Sequence, residues 1–241
     1  MSIFITSDEH SGHERILSLA ARPFKSVEEM NETIIARHNK KVSPKGFTIH
    51  VGDMFWQTMS KMEARAILHR LHGRHAFIYG NHDELIEKYV NLRMEFDWVV
   101  GKNKASGSHI IKWNKHKITL NHYAQRVWDG SHKGHWHVYG HSHGALAGLG
   151  KSFDIGVDSH SFAPWSLEEI EQEMEKRTQH HTIDNTGAVG VDRVAECATC
   201  LEARVEARIK REILREVSRA GSTVHEAGCE CGFCLMGGTR L

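Results

Sequence analysis

Cysteine is missing from the first 196 residues of this 241-residue chain; all five lie between Cys197 and Cys234. No disulfide framework can therefore hold the larger part, which must rely on a hydrophobic core. At 40% hydrophobic content the chain can bury one such core and still leave room for an appendage. Long apolar runs are lacking too: no segment approaches the roughly 20 residues of a membrane span. The opening residues read as a short strand without a basic, apolar leader, which predicts a soluble, cytoplasmic protein. Charge of one sign is also absent. With 31 basic and 30 acidic residues the formal net charge is +1, so no global field draws nucleic acid or anionic membrane, and any polyanion must be held locally. No internal repeat or low-complexity tract occurs.

What the chain does have is histidine, 20 in all, and an order to many of them. Trp136-His137-Val138-Tyr139 reads as a strand and runs into Gly140-His141-Ser142-His143. Side chains two apart share a face of an extended segment, so His141 and His143 can turn toward one point where the strand opens into a loop. Four earlier segments have the same layout. Ile3 to Ser7 leads into Asp8-Glu9-His10, Phe47 to Val51 into Gly52-Asp53, Ala76 to Tyr79 into Gly80-Asn81-His82-Asp83, and Ile118 to Leu120 into Asn121-His122.

Asp-x-His, Gly-Asp, Gly-Asn-His-Asp, a lone His and Gly-His-x-His, in that order, resemble the signature of the calcineurin-like metallophosphoesterase superfamily over about the first two thirds of the chain. Asp8-x-His10-x-Gly12-His13, Arg22-Pro23-Phe24 and His122-Tyr123 are similar to the compact phosphoesterases of phages and bacteria. The resemblance implies an α/β metallophosphoesterase sandwich, two mixed β-sheets flanked by helices, over 1–178. It also implies hydrolysis of a phosphoester at a dinuclear centre. Asp53 would bridge two divalent ions, with Asp8, His10 and His143 completing one and Asn81, His122 and His141 the other. Such a pair, about 3.5–4 Å apart, activates a bridging water as hydroxide and clamps the phosphoryl oxygens. Asn81 coordinates without adding negative charge, leaving the centre net positive toward phosphate, and Gly80 permits its tight turn. Four imidazoles with few carboxylates favour Mn, Fe, Zn, Ni or Co. His82, beside a ligand, is implied to be the catalytic acid or transition-state donor.

Other candidates rest on residue type. His13, Arg22, Arg126 and His160 are the side chains that could hold phosphate oxygens. His50 reads as a core histidine or one that braces a ligand, and His38, His69, His109, His116, His180 and His181 as surface or packing residues. Trp113, Trp128, Trp136 and Trp165 read as core, with stacking on a base an alternative for Trp128. Asp154 and Asp158 read as structural or as hydrogen-bond partners of ligands.

Periodicity predicts a short helix over 14–21, a helix opened by the capping box at Ser26, and another opened at Ser60 and closed by Gly73. It further predicts a hairpin around Asn114-Lys115, a last strand over 153–158, and a charged helix from Ser166 to about Arg177. Alternating strands and helices place ligands at the carboxyl ends of the strands. A polar linker is expected at 179–192 and a small Cys-rich helical module at 193–241. There Cys197, Cys200, Cys231 and Cys234 bracket an amphipathic helix in the manner of a structural zinc site, with Cys229 or His225 as substitutes. The helix offers a packing or homodimer-forming face.

Three functional readings stand at this stage. One is hydrolysis of a phosphodiester, a nucleotide or nucleic acid end, which the zinc-like tail favours slightly. A second is phosphomonoesterase action on a small metabolite or terminal phosphate. The third is a non-catalytic metal-binding scaffold, as in the retromer subunit similar to this superfamily, although such scaffolds lose ligands that this chain keeps.

Overall fold

The computed structural model describes residues 2–178. The expected linker and the Cys-rich module, with Cys197, Cys200, Cys231 and Cys234, lie outside the described residues.

Two mixed sheets make the framework. In the first, β1 (Ile3–Thr6), β2 (Phe47–His50), β3 (Arg74–Ile78) and β4 (Val99–Lys102) are parallel in sequence order. Antiparallel β5 (Ala105–Ser106) and β10 (Trp165–Ser166) close its two edges. In the second, the hairpin β6 (His109–Trp113) and β7 (His116–Leu120) continues into β8 (Trp136–Tyr139) and β9 (Ser152–Asp154), both parallel to β7.

Ile5, Ile49, Ala76 and Ile78 of the first sheet pack with Ile118, Leu120, Trp136, Val138 and Phe153 of the second, and Leu167, Ile170 and Met174 of α6 (Leu167–Glu175) join them. The alternation is visible in the sequence: Phe77 and Tyr79 point away from this core. They meet α2 (Val27–Lys41), α3 (Lys61–Arg70), α4 (Glu84–Lys88) and α5 (Val90–Arg93) through Ile35, Leu68, Leu85, Ile86 and Leu92.

Local chemistry sets the boundaries. Ser60–Glu63 and Ser166–Glu169 form complete capping boxes. At α2 only half of the expected box forms: Ser26 accepts from Glu29 N–H, while the Glu29 carboxylate accepts from Lys25 N–H. The helix over 14–21 is one turn, α1 (Ile16–Leu19). Helix α3 ends at Arg70 with Leu71 extended, so Gly73, at φ +97°, shapes the turn into β3 rather than capping the helix. The last strand is half the expected length. Asp154 Oδ1 accepts Gly156 N–H at 2.7 Å, and this local turn breaks the strand and starts a 3₁₀ turn at Val157–Ser159.

Because β1, β2, β3, β7 and β8 all run into ligand-bearing loops at their carboxyl ends, the five motifs converge at one edge of the sandwich. No described helix is long and apolar enough to cross a membrane.

Candidate metal centre

Five of the expected ligands sit in left-handed backbone: Asp8 (φ 62°), His10 (φ 51°), Asp53 (φ 57°), His141 (φ 67°) and His143 (φ 49°). Each such residue costs on the order of 1 kcal/mol, and strain of this kind collects at functional sites. Interloop bonds hold the conformation: Asp8 N–H to Gly52 O at 3.0 Å and His10 N–H to Asp53 O at 2.9 Å. The glycines matter through close approach. A Cβ on Gly80 would run into Asp53 Oδ1, and one on Gly140 into Ser7 Oγ and Asp8 Oδ2. At Gly80 close approach, not left-handed backbone, is what the glycine supplies to the turn.

Asp8, His10 and His143 bring one ligand atom each within 4.8 Å of one another, and Asp53, His122 and His141 do the same. Asp53 joins the two groups: its Oδ2 stands 3.6 Å from His10 Nε2 and 3.5 Å from His122 Nε2. Asn81 Oδ1 lies 2.9 Å from His122 Nε2. Backbone and carboxylate partners fix two ring orientations. His122 Nδ1 faces Val51 O at 2.8 Å, and His143 Nδ1 faces Asp158 Oδ2 at 2.8 Å, so each ring keeps Nε2 for an ion. Both nitrogens of His10, buried, lack any hydrogen-bond partner among the described residues. A buried imidazole orphaned on both sides is costly unless an ion takes a lone pair, so the donor set around His10 fits a divalent ion.

Electrostatics agree with a cation-binding centre. Burial raises Asp53, yet the hydrogen bond and charge of His122 and the charge of His10 outweigh it and hold the carboxyl below the usual range. Burial pulls His122 down, but its bond to Asp53 and the charges of Asp8 and Asp53 push it up to about 9. A proton on His122 thus occupies the place that an ion would take. Asp8 is pushed up to about 7, chiefly by burial, and burial holds His10 well below 6.5.

His82 lies beside this centre, its ring centroid 5.9 Å from that of His10 and 5.2 Å from that of Trp56. It is only half-buried, and its N–H donates to Asp53 Oδ1 at 2.9 Å. His13 is stacked flat on Trp56 at 3.5 Å, 5.3 Å from His10, with Nδ1 unpartnered. Burial lowers it to about 4.

The other phosphate-holding candidates are not brought together with these residues. The Arg22 side chain is fully buried, and its donors go to Asp158 Oδ1 and Oδ2 and to the carbonyls of Asp8 and Glu9. Its guanidinium braces the loop from within. Arg126 is exposed, with no hydrogen bond or ion pair to the centre among the described residues. His160 stacks on Trp165 at 3.8 Å. Trp128 is buried, donating to His135 O at 2.9 Å, and is closed to stacking on a base.

Sequence reading gave no role to Asp83, Glu9, Trp56 or Tyr123. Asp83 ties together the turns that carry Asp53 and Asn81, and Glu9 lies 2.6 Å from His50 Nδ1. Asp83 closes the Gly-Asn-His-Asp motif in the sequence, but the backbone N–H groups that its carboxylate takes come from the separate turn at Asp53 as well.

No family model matches the chain. An uncharacterized protein of Methanocaldococcus jannaschii is 29% identical to it over 190 residues, 76% of this chain and 97% of that protein. The crystal structure of a protein of unknown function from Aquifex aeolicus superposes with a TM-score of 0.55 at 21% identity, covering 71% of this chain and 98% of that one. This likeness shows the fold. A phosphoesterase from E. coli is similar only at a TM-score of 0.32 and 16% identity, over 65% of this chain and 78% of that one, too remote to bear on function.

Proposed function

We propose that this chain is a metal-dependent phosphoesterase. The observation that carries the reading is Asp53 Oδ2, 3.5 Å from His122 Nε2 in its own ligand group and 3.6 Å from His10 Nε2 in the other. Asp8, His10 and His143 would hold one divalent ion, and Asn81, His122 and His141 the other, with Asp53 common to both. Ions held there would supply a nucleophilic water at neutral pH and neutralise charge on the phosphoryl oxygens.

The chain's own residues do the rest. The Val51 carbonyl and the Asp158 carboxylate orient the rings of His122 and His143. His141 N–H, at 2.9 Å, aligns the Asp8 carboxylate. His82, held near Asp53 by its own backbone N–H, gives a proton to the departing ester oxygen. A phosphodiester is favoured as substrate over a monoester, on the strength of the zinc-like cysteine spacing in the sequence.

Initial rates on an aryl phosphodiester and the matching monoester, with Mn²⁺ added and Asp53→Asn as control, test this. Diester preference abolished by Asp53→Asn is the expected result, since an amide cannot replace the shared anionic oxygen. Monoester preference redirects the substrate search to terminal phosphates. Wild-type protein that binds two ions and hydrolyses neither ester fails the reading.

A further inference from the structure

We propose that the Tyr123 hydroxyl is a substrate-contacting group of this centre, donating its O–H to a non-bridging phosphoryl oxygen on the side of Asp53, His122 and His141. The inference rests on the phosphoesterase reading for its substrate, but its geometry stands independently.

Tyr123 follows His122 directly. Its ring meets that of His141 edge-to-face at 4.8 Å and that of His122 at 5.2 Å, while the two imidazoles are 5.3 Å apart. The three rings therefore form a nearly equilateral triangle over one ligand group. Asn121 Oδ1 accepts Tyr123 N–H at 2.8 Å, and the Asn121 amide in turn donates to Ser108 Oγ at 2.9 Å, so the turn presenting the phenol is pinned to the connection between β5 and β6. The residue is 36% exposed, and its hydrogen bonding among the described residues is made by the backbone, which leaves the hydroxyl free.

A tyrosine locked by two rings and a backbone clamp, with a free donor at its tip, is preorganised for an anionic oxygen. It is also a neutral donor, adding no charge where Asp53 must stay ionised. The arrangement complements His82, which lies beside His10 and Trp56, while Tyr123 lies beside His122 and His141. In the proposed reaction His82 serves the leaving oxygen and Tyr123 a non-bridging phosphoryl oxygen. The transferred phosphoryl group carries its charge on the non-bridging oxygens in the transition state, and a hydrogen bond to an ionised acceptor is about twice as strong as one between neutral groups.

The competing account is that Tyr123 only packs two ligand rings in place. Tyr123→Phe keeps the ring and removes the donor; Tyr123→Ala removes both. With Mn²⁺-loaded protein, three quantities separate the accounts: bound metal, kcat/KM on the aryl esters, and the dissociation constant of inorganic phosphate. The proposal expects Tyr123→Phe to hold two ions as wild type does. Its kcat/KM should fall about ten- to a hundredfold and its phosphate affinity about tenfold. Equal values in Tyr123→Phe and wild type, with loss only in Tyr123→Ala, overturn it. So does a Tyr123→Phe protein whose metal is lost along with its activity. Wild-type protein that hydrolyses nothing overturns the phosphoesterase reading alone. The phosphate titration then decides Tyr123, and an unchanged constant in Tyr123→Phe, or no phosphate binding in wild type, overturns it.

Discussion

The carboxylate of Asp83 accepts the backbone N–H of Asp53 at 2.9 Å. The same oxygen accepts Gly80 N–H at 2.6 Å, and its other oxygen takes Met54 N–H at 3.2 Å. One buried side chain thus ties the turn after β3, which presents Asn81, to the turn after β2, which presents Asp53. Burial and the neighbouring charge of Asp53 push Asp83 up to about 8, and the three N–H groups keep its oxygens pointed inward. Asp83→Ala leaves these donors unpaired in the interior, at about 1–3 kcal/mol for an unsatisfied group. The expected outcome is a loss of about 3 kcal/mol in urea unfolding of metal-free protein, together with weaker loading of both ions. A variant with wild-type metal content and an unshifted midpoint would show that the two turns hold themselves.

Asp158 touches only one of the two ligand groups, that of Asp8, His10 and His143. Its Oδ2 lies 2.8 Å from His143 Nδ1 and 2.7 Å from Arg22 Nη2, and Oδ1 accepts from Arg22 Nε at 2.8 Å. Asp158→Asn should weaken the ion held by Asp8, His10 and His143 about 10- to 100-fold, as loss of a partner behind a histidine ligand typically does. The ion held by Asn81, His122 and His141 should keep its affinity. A stepwise Mn²⁺ titration that resolves the two events checks this, and equal weakening of both would refute the asymmetry. Some stability goes with it, because the Arg22 guanidinium is then buried without its carboxylate partner.

His82→Ala should keep both ions and lose turnover. The bond to Asp53 Oδ1 is made by the backbone N–H of residue 82, so it survives the substitution. Only the imidazole is lost, and general acid catalysis is worth about 10²–10⁴ in rate. The loss should be largest on esters whose leaving oxygen most needs a proton. Metal analysis beside rates on a good and a poor leaving group distinguishes the cases: unchanged turnover on the poor one removes His82 from this role.

How much of this was legible in sequence follows from where the information sits. Asp8, Asp53, Asn81, His122 and His141 stand two or three residues beyond the ends of largely apolar strands, so their place at strand ends could be read before any packing was known. Ser60 and Ser166 announced their helices because a capping box is local chemistry. Arg22 misled for the opposite reason. An arginine near a phosphate motif reads as a phosphate ligand, and only the tertiary placement of Asp158, 136 residues away, shows where the guanidinium goes. Edge strands β5 and β10, two residues each, have too few positions to show a period at all. The left-handed backbone of His10 and His143 is likewise imposed by neighbours, since nothing in histidine itself asks for it.

A second histidine cluster, remote from the ligand loops except through Glu9, governs how stability depends on pH. His50 Nε2 is 3.1 Å from His75 Nδ1, and the rings of His75 and His38 lie 5.8 Å apart. Burial pushes all three down to about 3 from an ordinary 6.5. In the folded protein they stay neutral while the unfolded chain takes up protons below 6.5. Their contribution is therefore whole above 6.5 and is lost as pH falls toward 3. Glu9 acts in the other direction: burial raises it from 4.5 to about 7, so between those values the folded state holds an extra proton and gains stability as pH falls. A difference between two proteins isolates one histidine from this mixture. His75→Gln removes one proton from the imbalance, so its unfolding free energy should fall less steeply with acid than that of wild type. The slopes should differ by about 1.4 kcal/mol per pH unit between roughly pH 6 and 4. Urea unfolding of metal-free protein across that range measures both slopes. Parallel lines would mean that His75 titrates near its ordinary value in the folded state, and that the buried chain from Glu9 through His50 ends before it.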